Sequence, residues 1–456
     1  MRVLLISTYE LGRQPFGLAS PAAWLRRAGF TVVTVDVSKT PLTEQMVCGA
    51  QLIAFYLPMH TATRLAMRLI GRVRKWNPSA HLCGYGLYAP LNAQMLRSNG
   101  VETILGGEFE QDLVTLATQL DSRRMVDPNR DDRATRGLRL PRLEFIRPDR
   151  RDLPPLSRYA SLEIPDGRQK VVGYTEASRG CKHLCRHCPV VPVYGGQFRI
   201  VPAEVVLADI RAQVEQGAEH ITFGDPDFFN GILHAVDIVR QVAAEFPGLS
   251  YDVTIKIEHL LRHAKHLSTL RTTGCLFVTS AAESVDDAIL KRLEKGHTRD
   301  DFSRAVALCR QHELNLVPTF VAFNPWITLE GYCDLLQTID DLNLVGHVAP
   351  IQLALRLLIT EGSRLLELPD IRELVGPFDS ETLVYPWKHP DPGVDDLQRD
   401  VLALVGARAS RARRDIFDAI FRLAHDRAGL VRHRSRPERP VRDRSTVPYL
   451  NEPWYC

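Results

Sequence analysis

The sequence has no apolar run approaching the roughly 18 residues needed to span a bilayer, which excludes a transmembrane helix. Its first ten residues run straight into a strand-like stretch, without the separate regions of a signal peptide. The net charge of +3 is too small to favour nucleic acid or an anionic membrane as a partner. Nine cysteines in 456 residues do not make a disulfide scaffold. We therefore predict a soluble, cytoplasmic protein.

The N-terminal part of the chain, residues 1–120, alternates short apolar runs with amphipathic helices. The runs "RVLLIST", "TVVTVDV", "AQLIAFYLP" and "HLCGYG" are typical of buried parallel strands joined by helical crossovers. This pattern predicts a Rossmann-like, doubly wound α/β domain, which binds ligands beyond the carboxyl ends of its strands. Residues 121–150 are rich in Asp, Arg and Pro and lack periodicity, and we place a linker at 121–165.

A second α/β series follows, at residues 166–365. Its predicted strands are "KVVGYTE", "HITFGD", "SYDVTIKI", "CLFVTSAAE", "LNLVPTFVAF" and "APIQLALRLLI", with helices between them. Six such units in a row predict a partial (β/α)6 barrel of the TIM type, with its chemistry at the carboxyl ends of the strands. Residues 366–456 predict a mostly helical C-terminal extension that ends in a flexible tail.

Three cysteines stand together just after the first strand of this second series. Cys181, Cys185 and Cys188 have the spacing C-x3-C-x2-C, and thiolates on so short a loop can hold three corners of a [4Fe–4S] cluster. The fourth iron then lacks a protein ligand, and an open metal position can bind a substrate. Zinc is the alternative, with His183 or His187 as fourth ligand, but both interleave too tightly with the cysteines for a good tetrahedron.

The triplet, its position and the five further strand–helix units resemble the radical S-adenosylmethionine (SAM) superfamily. The resemblance implies that the open iron chelates SAM and that an electron from the cluster cleaves it. The product is a 5′-deoxyadenosyl radical, which abstracts hydrogen from a substrate. An electron donor such as flavodoxin or ferredoxin is also implied, whereas the substrate is not.

Further site residues follow from the same resemblance. "FGDPDF" places Gly224 and Asp225 where the family has a Gly-Gly-Glu-type turn near the SAM amino group; the alternative is that Asp225 or Asp227 caps a helix. Glu283, at the end of the fourth strand, corresponds to a position that contacts the SAM ribose. Its alternative role is also helix capping.

The third strand adds a lysine. In "TIKIEH" strand alternation puts Lys256 and Glu258 on one face, so that Lys256 either pairs with the SAM carboxylate or lies on the outer face. His259 and His297 are candidates for contact with the substrate or for proton transfer, with packing or capping as the alternative.

The N-terminal domain resembles the cobalamin-binding domain of one radical SAM subclass, with Gly106, Gly107 and Glu108 at the turn before its last helix. The Asp-x-His-x-x-Gly motif that ligates cobalt is absent, so cobalamin binds base-off or the domain is an empty scaffold. Methylthio-transferring relatives carry extra cluster cysteines here. Only Cys48 and Cys83 are present, which argues against that branch.

The C-terminal tail narrows the resemblance. "YLNEPWYC", with "YGGQFRIVP" and "YPWKHPDP", is similar to radical SAM proteins that end in a Cys-Cys-Ala-Glu-Pro or Cys-selenocysteine-Ala-Glu-Pro tail. If the codon after Cys456 is UGA, the gene encodes a selenoprotein; otherwise Cys456 is an incidental thiol on a frayed terminus. The arginine run 432–444 predicts a solvated linker, with phosphate contact as its alternative.

These features predict a radical SAM enzyme that acts on an unknown substrate, by cobalamin-dependent methyl transfer or by a radical rearrangement or bond formation. The alternative is an iron–sulfur electron carrier or redox sensor with a reactive thiol or selenol tail. That alternative requires a fourth ligand to the cluster.

Overall fold

The computed structural model describes residues 1–122, 143–408, 411–430 and 447–452. Within these ranges no helix has the length and apolar character needed to cross a membrane. Most of the residue 121–150 stretch, the arginine run 432–444 and Cys456 lie outside the described residues.

A parallel sheet forms the N-terminal part of the fold. Its strands are β1 (Arg2–Ser7), β2 (Thr31–Asp36), β3 (Leu52–Tyr56), β4 (His81–Tyr85) and β5 (Thr103–Leu105). Its helices are α1 (Phe16–Arg27), α2 (Glu44–Cys48), α3 (His60–Trp76), α4 (Tyr88–Leu91), α5 (Ala93–Ser98) and α6 (Glu110–Asp121). The strand order is β2-β1-β3-β4-β5. Alternate strand residues enter two separate apolar clusters, one on each face, which confirms the doubly wound prediction.

A second, larger sheet follows. Its strands are β6 (Ser161–Glu163), β7 (Gln169–Thr175), β10 (His220–Phe223), β11 (Ser250–Thr254), β12 (Cys275–Glu283), β13 (Asn315–Phe320) and β14 (Tyr449–Leu450). Between the second and third of these, β8 (Ser178–Gly180) and β9 (Phe198–Ile200) form a separate antiparallel pair. The order in the large sheet is β13-β12-β11-β10-β7-β6-β14, and β7 and β10–β13 are parallel.

Helices cover the outer face of this sheet and extend beyond it. They are α7 (Val191–Tyr194), α8 (Ala203–Glu215), α9 (Ile232–Glu245), α10 (Ile257–Arg262), α11 (Leu267–Thr272), α12 (Asp287–Arg292), α13 (Arg299–Gln311), α14 (Leu329–Asp341), α15 (Pro369–Leu374), α16 (Pro392–Ala407) and α17 (Arg413–Ala428). Fully buried strand residues such as Val253, Val278 and Leu316 pack into the main apolar cluster with them.

The other face of the sheet is concave. Val317 of one edge strand and Leu450 of the opposite edge strand line the same cavity, so the sheet curls into a half-barrel. Side chains at alternate positions, including Asp252, Thr279 and Thr319, point into this cavity. The α/β class and the half-barrel confirm the predicted fold.

Two predicted strand segments differ from the structure. "APIQLALRLLI" is not a sixth strand: it begins with a 3₁₀ turn at Pro350–Leu353 and makes a single bridge, between Phe323 and Arg356. Proline lacks the N–H for a ladder, and the side chain of Gln352 accepts the backbone N–H of Phe320 at 3.1 Å in place of a strand. The third strand also stops early, at Thr254, and a helix begins at Ile257.

A buried ion pair joins the two halves of the fold. Arg150 donates from Nε and Nη2 to the carboxylate of Asp209 at 2.9 Å, and it also binds Gln14 Oε1 and the carbonyl oxygen of Tyr174. Both charged side chains are only 2% exposed. The arginine thereby connects the loop after β1 to strand β7 and helix α8.

We predict that Asp209→Ala destabilises the protein by about 3–5 kcal/mol, because it leaves Arg150 charged and buried without a partner. Guanidinium unfolding followed by circular dichroism measures the loss. The matched control is Asp400→Ala, which breaks the half-exposed pair with Arg427 and is expected to cost less than about 1 kcal/mol. Equal losses in the two variants would contradict this role for Arg150.

Candidate functional site

The three cysteines lie on one loop at the carboxyl end of β7. Cys181 and Cys185 are 9% and 7% exposed, and Cys188 is half-buried. Burial raises the pKa of the Cys188 thiol to about 12, and the neighbouring sulfurs add to this. Burial also raises the pKa of Cys181. Thiols such as those of Cys181 and Cys188, which are costly to ionise alone, are suited to a bound cation, because the cation stabilises the thiolates.

Contacts from distant segments anchor the cysteine loop. The backbone N–H of Arg186 donates to the carbonyl oxygen of Leu293 at 3.0 Å. Arg364 donates from Nη1 to the carbonyl oxygen of Leu184 at 2.6 Å. The backbone N–H of Lys182 donates to Asn230 Oδ1 at 3.3 Å. The loop is therefore held along its length before any ligand binds.

The turn after β10 also contacts this part of the chain. Asp225 is buried, and its carboxylate accepts the backbone N–H of Ala177 at 2.9 Å and the hydroxyl of Ser178. Burial raises its pKa to about 7 although these hydrogen bonds lower it. Gly224 has no room for a side chain, because a Cβ there would lie 1.8 Å from the Tyr174 hydroxyl oxygen. Asp225 thus ties β10 to the segment before the cysteines and does not cap a helix.

The cap is instead Asp227, a residue with a second role. It accepts the backbone N–H of Phe229 at 3.2 Å, and its Oδ2 lies 3.3 Å from His183 Nε2 and 2.7 Å from His259 Nδ1. Burial would raise the pKa of Asp227, but the hydrogen bonds from the two imidazoles lower it to about 2. His259 is therefore paired within the protein, as its structural alternative predicts.

A second group of possible metal ligands, which differs from the three cysteines, lies at the cysteine loop. One ligand atom each from Cys181, His183 and Asp227 lies within 4.8 Å of the other two. The zinc alternative thus has a carboxylate ligand that the sequence did not indicate. The sequence feature that could have indicated this carboxylate is the Asp-Pro-Asp segment directly after β10.

Glu283 stands at the end of β12 with a left-handed φ of +66°, unusual for a residue other than glycine. Its Oε1 lies 3.0 Å from His187 Nε2 and accepts from Lys295 Nζ at 3.3 Å. Burial would raise the pKa of Glu283, but Lys295 and His187 lower it to about 2. The carboxylate stays ionised and faces the cysteine loop through His187.

Lys295 is the site residue that the sequence reasoning missed. It lies two residues before His297 in "EKGHT", and it is almost fully buried. His297 lies with Nε2 3.2 Å from the carbonyl oxygen of Ala282, and burial and Lys295 lower its pKa to about 4. A neutral, packed role therefore describes His297. The contact with Glu283, twelve residues away, and the interaction of its charge with Cys185 and Cys188 mark Lys295 as part of the site.

Lys256 lies inside the site and not on the outer face. Its Nζ is 3.7 Å from Cys185 Sγ, and its side chain is buried. The predicted strand alternation with Glu258 is wrong, since Lys256 is the residue before α10 and Glu258 belongs to the first turn of that helix. Glu258 pairs with Arg262 through Oε1, and its Oε2 lies 3.7 Å from His183 Nδ1 of the cysteine loop.

The turn before the last helix of the N-terminal domain is the predicted place for a corrin. Glu108, at the predicted turn, is 2% exposed and accepts from Arg179 at 3.1 Å and from the Tyr194 hydroxyl at 3.2 Å. Arg179 also pairs with Glu110 at 2.7 Å. Both carboxylate oxygens of Glu108 are thus engaged by protein donors, so this residue offers no free acceptor to a corrin.

The two N-terminal cysteines do not form a metal pair. Cys48 is exposed at the end of α2, whereas Cys83 is fully buried inside β4. Burial raises the pKa of the Cys83 thiol far above its ordinary value. A second cluster of the methylthio-transferring kind has no ligand set here.

Comparison with known proteins identifies a family for the central region of the chain. Residues 175–342 match the family model of the radical SAM superfamily. The tRNA-2-methylthio-N(6)-dimethylallyladenosine synthase of Desulfosudis oleivorans is 28% identical over 204 residues, 41% of each protein. The anaerobic magnesium-protoporphyrin IX monomethyl ester cyclase of Synechocystis is 21% identical over 324 residues, 67% of this chain and 64% of the relative. The chain thus spans less than half of the first relative.

Solved structures share most of the fold. OxsB, a cobalamin-dependent SAM radical enzyme with aqua-cobalamin and SAM bound, superposes with a TM-score of 0.68 at 13% identity, over 93% of this chain and 72% of its own. TsrM from Kitasatospora setae, a radical SAM methyltransferase with cobalamin and a [4Fe–4S] cluster bound, superposes with a TM-score of 0.59 at 17% identity, over 75% and 70%. Residues 175–342 are therefore a radical SAM domain, within a fold that cobalamin-dependent radical SAM enzymes share.

Proposed function

We propose that this chain is a radical SAM enzyme whose cluster is held by Cys181, Cys185 and Cys188. The observation that carries the proposal is the placement of three cysteine thiols, two of them buried, on one anchored loop beside Lys256 and Glu283. A [4Fe–4S] cluster bound there supplies an electron and an open iron for the reductive cleavage of SAM to a 5′-deoxyadenosyl radical. The substrate is unknown, and a flavodoxin or ferredoxin is the expected electron donor.

The surrounding residues have separate roles in this proposal. Lys256, 3.7 Å from the Cys185 sulfur, offsets the negative charge of the thiolates and is positioned to meet the SAM carboxylate. Both described contacts of Glu283 go to Oε1, so Oε2 can accept the ribose hydroxyls. Gly224 borders the amino group of SAM. Asp225 acts through Ala177 and Ser178, as a positioning residue for the loop.

Cobalamin-dependent methyl transfer is a second candidate, favoured by the fold shared with OxsB and TsrM. The contact between Glu108 and Arg179 counts against it, because this carboxylate is already engaged within the protein. We therefore derive no step through cobalamin. Protein produced with cobalamin and purified anaerobically discriminates the two. Bound cobalamin and S-adenosylhomocysteine support methyl transfer; 5′-deoxyadenosine without either supports another radical reaction.

An iron–sulfur electron carrier or redox sensor remains the non-enzymatic alternative. It requires a fourth ligand to the cluster, and His183, the imidazole nearest to Cys181, is held by Asp227. Electron–nuclear spectroscopy of the reduced cluster with and without SAM separates these functions. A change in the iron environment on adding SAM indicates an open site.

We predict that Cys185→Ala abolishes both cluster binding and the formation of 5′-deoxyadenosine, because two thiolates do not hold a cubane. Iron content, absorbance near the cluster band and chromatography of the products measure this after anaerobic reconstitution and reduction. The matched control is Cys48→Ala, which removes an exposed thiol of the N-terminal domain and leaves both readouts unchanged. Full SAM cleavage by Cys185→Ala would sink the proposal.

We predict that Glu283→Gln weakens SAM binding about tenfold while iron content stays at the wild-type value, because a neutral amide replaces a carboxylate acceptor of charged hydrogen bonds. Equilibrium dialysis with the reconstituted protein measures the affinity. Glu313→Gln, which alters an exposed carboxylate paired with Arg271, is the control and keeps wild-type affinity. Unchanged SAM affinity in Glu283→Gln would contradict a contact between this carboxylate and the SAM ribose.

A further inference from the structure

A cavity of about 430 Å³ lies on the concave face of the half-barrel. Asp252, Thr279 and Thr319 from β11–β13 form one wall. The same strands lead directly to the proposed site: Lys256 and Glu283 each follow a wall residue by four positions, about 13 Å at the rise of a strand. The volume is within the range of small-molecule sites. The cavity therefore adjoins the place where SAM would bind.

Most of the remaining lining is apolar. It comes from the inner face of the sheet, from α16 and α17, and from the segment 447–452, and includes Phe277, Val317, Ile351, Val405, Ile416 and Leu450. The segment is fixed because Leu450 pairs with Leu162 of β6. Such walls favour an apolar molecular body by removing its surface from water.

Arg13 brings a cation to this apolar space from the N-terminal domain. It lines the cavity, and its guanidinium lies 5.2 Å from the centre of the Tyr174 ring. Its Nε is buried and has no hydrogen-bond partner among the described residues. A buried donor atom without an acceptor is costly, so an oxyanion at this position satisfies the Nε that the described residues leave without a hydrogen bond. The buried carboxylate of Glu10 interacts with the charge of Arg13 but does not accept from this Nε.

The other charges around the cavity are already engaged. Asp252 accepts from the Thr222 hydroxyl at 2.7 Å, and its Oδ1 lies 2.9 Å from His220 Nε2. Glu452 accepts from the Tyr9 hydroxyl at 3.2 Å. Arg413 donates to the carbonyl oxygen of Gly346 at 2.9 Å. Arg411 adds a further cation to the lining, so arginines outnumber carboxylates there.

From this arrangement we infer that the cavity binds the substrate of the proposed enzyme, and that the substrate class is an apolar organic molecule with one anionic group, such as a carboxylate. That the ligand is a substrate rests on the proposed function, whereas the binding site itself rests on the residues that line the cavity. Arg13 binds the anion, and the walls of β12, β13 and α16 enclose the apolar body.

The test uses three probes with one body and different charge: 4-phenylbutyrate, 4-phenylbutanol and 4-phenylbutylamine. Isothermal titration of the anaerobically reconstituted protein measures each affinity. We expect the carboxylate to bind at least about tenfold more tightly than the amine. In Arg13→Gln the carboxylate loses about tenfold, while the alcohol changes less than about twofold. Arg27→Gln, on the surface of α1, is the matched control and keeps all three affinities.

A second variant tests the cavity independently of Arg13. Val405→Trp places a larger side chain in the apolar wall and should weaken all three probes together. Tighter binding of the amine, no carboxylate binding up to its solubility limit, or equal losses of carboxylate and alcohol in Arg13→Gln would each overturn the inference. If the probes fail while wild-type protein cleaves SAM, only the inference fails. If the probes behave as expected and SAM is not cleaved, only the proposed function fails.

Discussion

Buried carboxylates at the carboxyl ends of β10 and β12 hold the loop that carries the cysteines. Asp225 binds the segment before the loop, Asp227 binds His183 within it, and Glu283 binds His187 near its end. Each carboxylate is desolvated, and each is compensated by donors from the loop, from the segment before it, or from a neighbouring element. The position of the three sulfurs is thus set by contacts to the sheet, and the rest of the site depends on this framework.

The sequence predicted the parts of this framework that follow from local pattern. Apolar runs identified the buried parallel strands, and the spacing of Cys181, Cys185 and Cys188 identified the loop. It did not predict Lys295, whose importance comes from a contact with Glu283. It named Asp227 only as a helix cap and did not predict its pairing with His259 from another element. Side-chain partners set by the curl of the sheet leave no periodic signal in the chain.

The two errors in the strand prediction have local causes. The residues around Lys256 in "TIKIEH" alternate as in a strand, but helix α10 begins at Ile257. The alternation of side chains predicted for a strand therefore does not apply there. The segment after Pro350 is apolar enough for a strand, yet the side chain of Gln352 takes the backbone donor of Phe320. In both places a single hydrogen-bonding or helix-starting residue decides against the pattern of hydrophobicity.

The N-terminal domain and the far end of the described chain meet around the same barrel. Arg179, two residues before the first cysteine, is buried among Glu108, Glu110 and Glu176, so the cysteine loop and the N-terminal sheet share one charge-balanced contact. On another side Tyr9 reaches Glu452 beside the strand that completes the sheet. Because a shared fold does not carry a shared ligand, this domain is best described by what it demonstrably contacts. Its Arg13 lies in the wall of the cavity. The N-terminal domain therefore helps to enclose the half-barrel.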